Sequence, residues 1–126
     1  WSAYRESIRT VEVASGITNL PDFAFYGCSA LETVSFAEGS RLTTIGGSTF
    51  NGCTSLKELT LPQGVKTIYG NAFRGCSSLV SVYLPDTVSY ITGGAFRDCG
   101  KVVLSVARDS YAKQYAISNG IAYVER

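Results

Sequence analysis

Two groupings in this 126-residue chain have residue types and spacing that chemistry could use. The first is the stretch NAFRGCSSL, Asn71 to Leu79, where Cys76 follows Arg74 by two residues. A cationic neighbour lowers a thiol's pKa and the thiolate is the nucleophile, so Cys76 is a candidate reactive centre. The second is the carboxylate pair Glu32 and Glu58. On adjacent strands of one face they would stand roughly 5–8 Å apart, a separation that overlaps the range used by glycoside-cleaving carboxylates. The chain has no histidine, which removes the commonest general base and the commonest metal ligand. It also has no C-x-x-C pair to start a zinc site.

What positions these residues is a repeat. The pattern Ala/Thr-Phe-x-Gly/Asp-Cys occurs four times, as AFYGC (24–28), TFNGC (49–53), AFRGC (72–76) and AFRDC (95–99). The flanks keep step with it. Aliphatic pairs precede each motif at Ile17/Leu20, Leu42/Ile45, Val65/Ile68 and Val88/Ile91. An apolar-x-x-apolar-x-apolar run recurs at Ile8/Val11/Val13, Leu31/Val34/Phe36, Leu56/Leu59/Leu61 and Leu79/Val82/Leu84. One insertion breaks the period, in the turn AEGSR (37–41), where extra residues are tolerated. A repeat of this length with one alternating strand per copy predicts a solenoid, because no copy has enough apolar surface to close its own core. The alternation in ELTL and SVYL predicts parallel strands with Leu and Val pointing inward.

The segments CTSLKELTLPQGVKTIYGNAF and CSSLVSVYLPDTVSYITGGAF resemble BspA-like leucine-rich repeats, and the resemblance runs over nearly the whole chain. It implies a leucine-rich-repeat solenoid of about four coils of 23–25 residues, with a parallel sheet on one face and a C-terminal helix-strand cap. Residues 1–7 are expected to form an N-terminal lid that uses Trp1 and Tyr4. Residues 8–28, 29–53, 54–76 and 77–99 form the repeats and 100–126 the cap, all in one domain. Within the cap, Asp109 or Ser110 is placed to N-cap a short helix carrying a Tyr111/Tyr115 and Ala112/Ala116 stripe. Asn119-Gly120 would stop that helix, and the strand-like IAYV follows. The sequence departs from commoner leucine-rich repeats in having Gly16, Gly64 and Thr87 where an asparagine ladder would stand. It departs from its own family in having Ala14 and Ala37 where later coils have Pro62 and Pro85.

Against this frame the candidates change character. Cys28, Cys53, Cys76 and Cys99 are equivalent positions of stacked coils, so a buried column of free thiols is expected, against the competing readings of a disulfide or a reactive thiol. Phe25, Phe50, Phe73 and Phe96 are expected to form a core spine. The outward strand positions fall in three rows: Arg9, Glu32, Lys57, Val80; Thr10, Thr33, Glu58, Ser81; and Glu12, Ser35, Thr60, Tyr83. The first row reads as a cross-strand charge ladder or as a partner-facing surface. In the second reading the binding residues are Arg9, Glu32, Lys57, Glu58, Thr60, Val80 and Tyr83, with Tyr83 as an aromatic anchor.

No catalytic residue, cofactor or metal is assigned. Lys57 and Arg9 would keep the Glu32/Glu58 pair ionised and no apolar cage surrounds it, so glycan cleavage is the weakest reading. A glycan-binding module stacking sugars on Tyr83, Tyr90 or Tyr69 is the alternative to protein binding. A net charge of +1 without basic runs gives no footprint for nucleic acid. The longest apolar run, VVLSV, is too short to insert in a membrane. The chain has no methionine and opens on Trp1, so it is read as a mature or excised piece of something longer. The family resemblance implies an extracellular or cell-surface bacterial protein that binds host matrix proteins, cells or glycans.

Overall fold

The computed structural model describes residues 4–126. Each coil has a front strand, a two-residue back strand and a corner. The front strands are β1 (Thr10–Val13), β3 (Thr33–Phe36), β5 (Glu58–Thr60), β7 (Ser81–Tyr83) and β9 (Val103–Val106). The back strands are β2 (Asn19–Leu20), β4 (Thr44–Ile45), β6 (Thr67–Ile68) and β8 (Tyr90–Ile91). Helix α1 (Tyr111–Ser118) and strand β10 (Ala122–Glu125) close the C-terminal end. All pairings are parallel. The result is a solenoid of about five turns.

The alternating pattern acts as expected. In β3, β5 and β7 the central Val34, Leu59 and Val82 are buried while Thr33, Glu58 and Ser81 face solvent. Leu31, Leu42, Ile45, Leu56, Val65, Ile68, Leu79 and Leu84 fill the interior, each contributing roughly 1.5–3 kcal/mol by leaving water. In the cap, Leu104 and Val106 of β9 continue the inward positions, with Val82 opposite Leu104.

The corners hold the most regular part of the stack. The phenylalanine rings lie nearly parallel, with centroids 5.6, 5.4 and 5.1 Å apart from Phe25 to Phe96. Backbone N–H groups of each corner donate to the next coil: Phe23, Phe25 and Gly27 to the carbonyls of Gly47, Thr49 and Asn51. Ser48, Phe50 and Gly52 donate likewise to Gly70, Ala72 and Arg74. A left-handed residue opens and closes each corner: Phe23, Ser48, Asn71 or Gly94 at one end, and Gly27, Gly52, Gly75 or Asp98 at the other. Phe23 is the odd member. A bulky side chain there is strained, and the ring is 56% exposed. Gly46 is required for another reason, since a Cβ would sit 2.7 Å from the Leu20 carbonyl and the Asp22 nitrogen.

The cap forms as read from its residues. Ser110 Oγ accepts from Lys113 N–H at 3.1 Å, Ala112 and Ala116 are buried, and Gly120 takes the left-handed turn. Tyr111 does more than fill the stripe: its hydroxyl accepts from Ile91 N–H at 3.0 Å and so caps the open edge of β8. At the other end the lid differs from expectation. Tyr4 is 65% exposed. The residue that engages the first coil is Arg5, which donates to the Tyr26 carbonyl and lies over its ring. Trp1 lies outside the described residues.

One part of the sheet departs from the uniform ladder. The back ladder runs unbroken as β2-β4-β6-β8, but the front divides into β1-β3 and β5-β7-β9-β10. Thr10 pairs with Thr33, 23 residues on, whereas Asn19 pairs with Thr44, 25 residues on. Both extra residues therefore lie between β3 and β4, in the 37–41 turn. The insertion lengthens the coil where β3 leaves the sheet, and no backbone hydrogen bond joins β3 to β5 among the described residues.

Candidate functional site

The cysteine column resolves first. All four thiols are free and buried. Cys53, Cys76 and Cys99 donate from Sγ to the carbonyls of Phe25, Phe50 and Phe73, one coil back, at 3.3, 3.1 and 2.9 Å. Burial pushes the Cys53 thiol up to about 12 and raises Cys28 despite the nearby Arg5. The Cys76 thiol is raised by its hydrogen bond with Cys99 and by burial. A protonated, buried thiol is a poor nucleophile. Arg74 points away from it and pairs with Asp98 of the next coil at 3.7 Å. Cys76 is therefore scaffold.

The front face carries the remaining candidates. Arg9, Glu32, Lys57, Glu58, Thr60 and Val80 are all exposed there, Val80 at 45%. The rows hold within each half of the sheet: Thr33 lies opposite Thr10, Ser35 opposite Glu12, Ser81 opposite Glu58 and Tyr83 opposite Thr60. Between the halves they are interrupted. The cross-strand charge ladder is not made as ion pairs. The two bridges among the described residues are Arg74–Asp98 and Lys113–Glu125, so Arg9, Glu32 and Lys57 keep their charges unpaired.

Where β3 and β5 part, a groove of about 490 Å³ opens in the face. Val34, Phe36, Leu59 and Pro62 form its apolar part, and Thr33, Ser35, Thr60 and Glu58 supply hydroxyls and a carboxylate. Of the sequence-derived binding residues the groove brings together Glu58 and Thr60; Arg9, Glu32, Lys57 and Val80 lie elsewhere on the face. Thr33 and Ser35 belong to the outward rows, where nothing in their type distinguishes them from other exposed strand residues.

Tyr83 is placed differently from an open anchor. The Arg126 guanidinium lies 3.8 Å above its ring, donating to the Leu84 carbonyl at 2.7 Å and to Ser105 Oγ at 3.3 Å. A cation held over a ring is a cation–π contact, and it covers the face that a partner or sugar would use. Tyr69 and Tyr90, 43% and 54% exposed, remain open at the back ladder. The missing asparagine ladder has one local substitute: Thr87 Oγ1 accepts from Gly64 N–H at 3.1 Å and donates to the Val65 carbonyl at 2.8 Å.

Comparison with known proteins agrees with this architecture. The BspA type leucine rich repeat region matches residues 3–119 in 6 copies. A leucine-rich repeat protein from Bacteroides ovatus superposes with a TM-score of 0.75 at 28% identity, covering 91% of this chain and 30% of that one. A leucine rich repeat protein of T. pallidum superposes with a TM-score of 0.57 at 31% identity, covering 77% of this chain and 58% of that one. The chain thus spans only part of each of these solved structures. Among curated proteins, none matches.

Proposed function

Because the chain belongs to the BspA-type leucine-rich repeat family, we propose that it is a non-catalytic binding module of a secreted or surface-attached bacterial protein. Its partner is a host-matrix or cell-surface protein, held on the front face. The observation that carries this reading is the groove between β3 and β5. A flat parallel sheet offers a partner little to enter. Here a cleft with an apolar floor and a rim of hydroxyls interrupts it, which suits an apolar side chain flanked by hydrogen-bonding groups. Arg9, Glu32 and Lys57 stand outside it on the same face, with charges that need not be taken from an internal ion pair. Rim charges of this type steer encounter and select partners more than they add affinity.

The test is binding of purified protein to a panel of extracellular-matrix proteins, followed by joint reversal of Lys57→Glu and Glu58→Lys. Binding is expected to fall at least ten-fold. Undiminished binding would mean that the front face is not the surface used. Glycan cleavage is a poorer account, since Glu58 is exposed beside hydroxyls rather than caged. Glu58→Gln tests it directly, because any polysaccharide turnover should then disappear.

A second reading rests on Tyr69 and Tyr90, two exposed rings on neighbouring coils of the back ladder. Spaced aromatics are sugar-stacking platforms, and polysaccharide retention lost on Tyr90→Ala would favour a glycan partner.

A further inference from the structure

At the C-terminal end of the stack one row of backbone donors has no acceptor. In the first three coils the corner N–H groups donate to the next coil, as Phe73 and Gly75 do to Ala95 and Arg97 at 2.8 and 2.9 Å. The equivalent donors of the last coil are Gly94, Phe96 and Asp98, and they donate no backbone hydrogen bond among the described residues, although the Asn71 carboxamide oxygen packs against Gly94. Instead of another corner, the C-terminal end of α1 and the chain leading into β10 stand opposite. Between them is a cleft of about 260 Å³, lined by Gly94, Phe96, Arg97, Tyr115, Asn119 and Ile121.

Gly94 and Asp98 both have left-handed backbones, as the residues that open and close the earlier corners do, so the last corner keeps the form of the others. Arg97 adds a guanidinium. It is exposed and forms no ion pair among the described residues, whereas its neighbour Asp98 is held by Arg74. The other wall is the half-buried Tyr115 ring, tilted against Phe96 at 6.3 Å, with Ile121 beside it.

We infer that this cleft binds a short peptide segment of a partner protein through its main-chain carbonyls, with an acidic side chain on Arg97. The donors recur at every second residue, and along an extended peptide the carbonyls facing one side recur at every second residue too. Inside the solenoid the same row meets carbonyls with that spacing, at Gly47, Thr49 and Asn51 and at Gly70, Ala72 and Arg74. Main-chain pairing of this kind supplies affinity, while flanking side chains supply selectivity. The charge favours an acidic segment: Gly94, Phe96 and the Arg97 guanidinium line the cleft, its lining holds no carboxylate, and the adjacent Asp98 carboxylate is paired with Arg74. The site is independent of the front face and does not rest on the function proposed for it.

The experiment is a titration of the intact, isotope-labelled chain with acetyl-(Glu-Val)₃-amide, followed by amide NMR, with acetyl-(Lys-Val)₃-amide and sodium acetate as parallel probes. The glutamate peptide is expected to shift the Gly94, Phe96 and Asp98 amides in a saturable way. Arg97→Gln should weaken it at least ten-fold, and Lys101→Gln, which removes an equal charge outside the cleft, should leave affinity within two-fold. Four results overturn the inference. They are equal binding of the lysine peptide, shifts confined to other residues, equal response to acetate (a small-anion site only), and shifts that track protein concentration without peptide, which would make a second copy the occupant.

Discussion

β4 pairs with β6, while β3, one turn back along the same coil, does not pair with β5. The two ladders share a period, a hydrophobic core and a parallel sense, yet only the back one is continuous. The difference lies in how each is fixed. The back strands lead straight into the corners, where ring stacking, thiol-to-carbonyl bonds and N–H-to-carbonyl bonds all repeat. Three sets of contacts hold neighbouring coils in step there. The front strands have side-chain packing on one face and their own ladder bonds, and two extra residues beside one strand are enough to part them. Continuity in a stacked fold thus depends on the number of independent contacts per joint.

The largest test sets the two regions against each other. Phe73→Ala should cost about 3–5 kcal/mol in urea unfolding, because it opens a cavity in the spine. Phe36→Ala, half-buried beside the groove, should cost less than half as much; equal costs would remove the distinction.

Next comes alkaline pH. Three of the four buried corner thiols, Cys28, Cys53 and Cys76, have raised pKa values, while the hydrogen bond with Cys76 lowers Cys99. Above about 8.5 the unfolded chain therefore ionises at those three positions where the folded one does not. Stability is then fully present below that pH and declines as pH rises, by about 1.4 kcal/mol per pH unit for each such thiol, until the folded thiols also ionise, at about 12 for Cys53. A flat unfolding profile from pH 8.5 to 10 would contradict the buried column.

Deleting Glu38 and Gly39 should let β3 pair with β5 and slow exchange of amides in those strands about five- to ten-fold, the equivalent of a ~1 kcal/mol hydrogen bond. Unchanged exchange would mean that something other than chain length holds them apart.

The smallest effect concerns the cap. The hydrogen bond from Lys113 lowers the Glu125 carboxyl and raises Lys113. The pair's contribution is therefore present at neutral pH, lost as pH falls through the carboxylate range below about 4, and lost again as pH rises past the lysine range. Exchange of the exposed β10 amides at those extremes measures it.

Much of this was legible in the residues. Phe25 to Phe96 and Cys28 to Cys99 announce the coils because packing at an identical site selects an identical residue each time. The inward Leu and Val positions and the helix-strand cap follow from periodicity and capping chemistry. What was not legible depends on the path of the backbone. The AEGSR insertion is visible, but its consequence for the β3–β5 joint is a matter of strand position, which residue type does not encode. Tyr83 looked like an open aromatic because its cover, Arg126, lies 43 residues away. The unpaired N–H row has no readable side-chain signature: Phe96 matches its counterparts, Gly94 and Asp98 differ from theirs in type, and neither difference reports the absence of a following corner.

The one-way sense of the corner N–H bonds sets a rule for how such a chain can change in size. At each corner joint the alternate backbone N–H groups come from the preceding coil and the carbonyls they meet from the following one, while the thiols donate back in the other direction. A whole coil spliced between any two others reproduces both surfaces, and the array gains a storey without any new interface. A gain of one or two residues reproduces neither and leaves a scar of the kind seen after β3. Length in this architecture is quantised. Duplication and loss of complete coils are the permitted edits, while small insertions become local features on which selection can act.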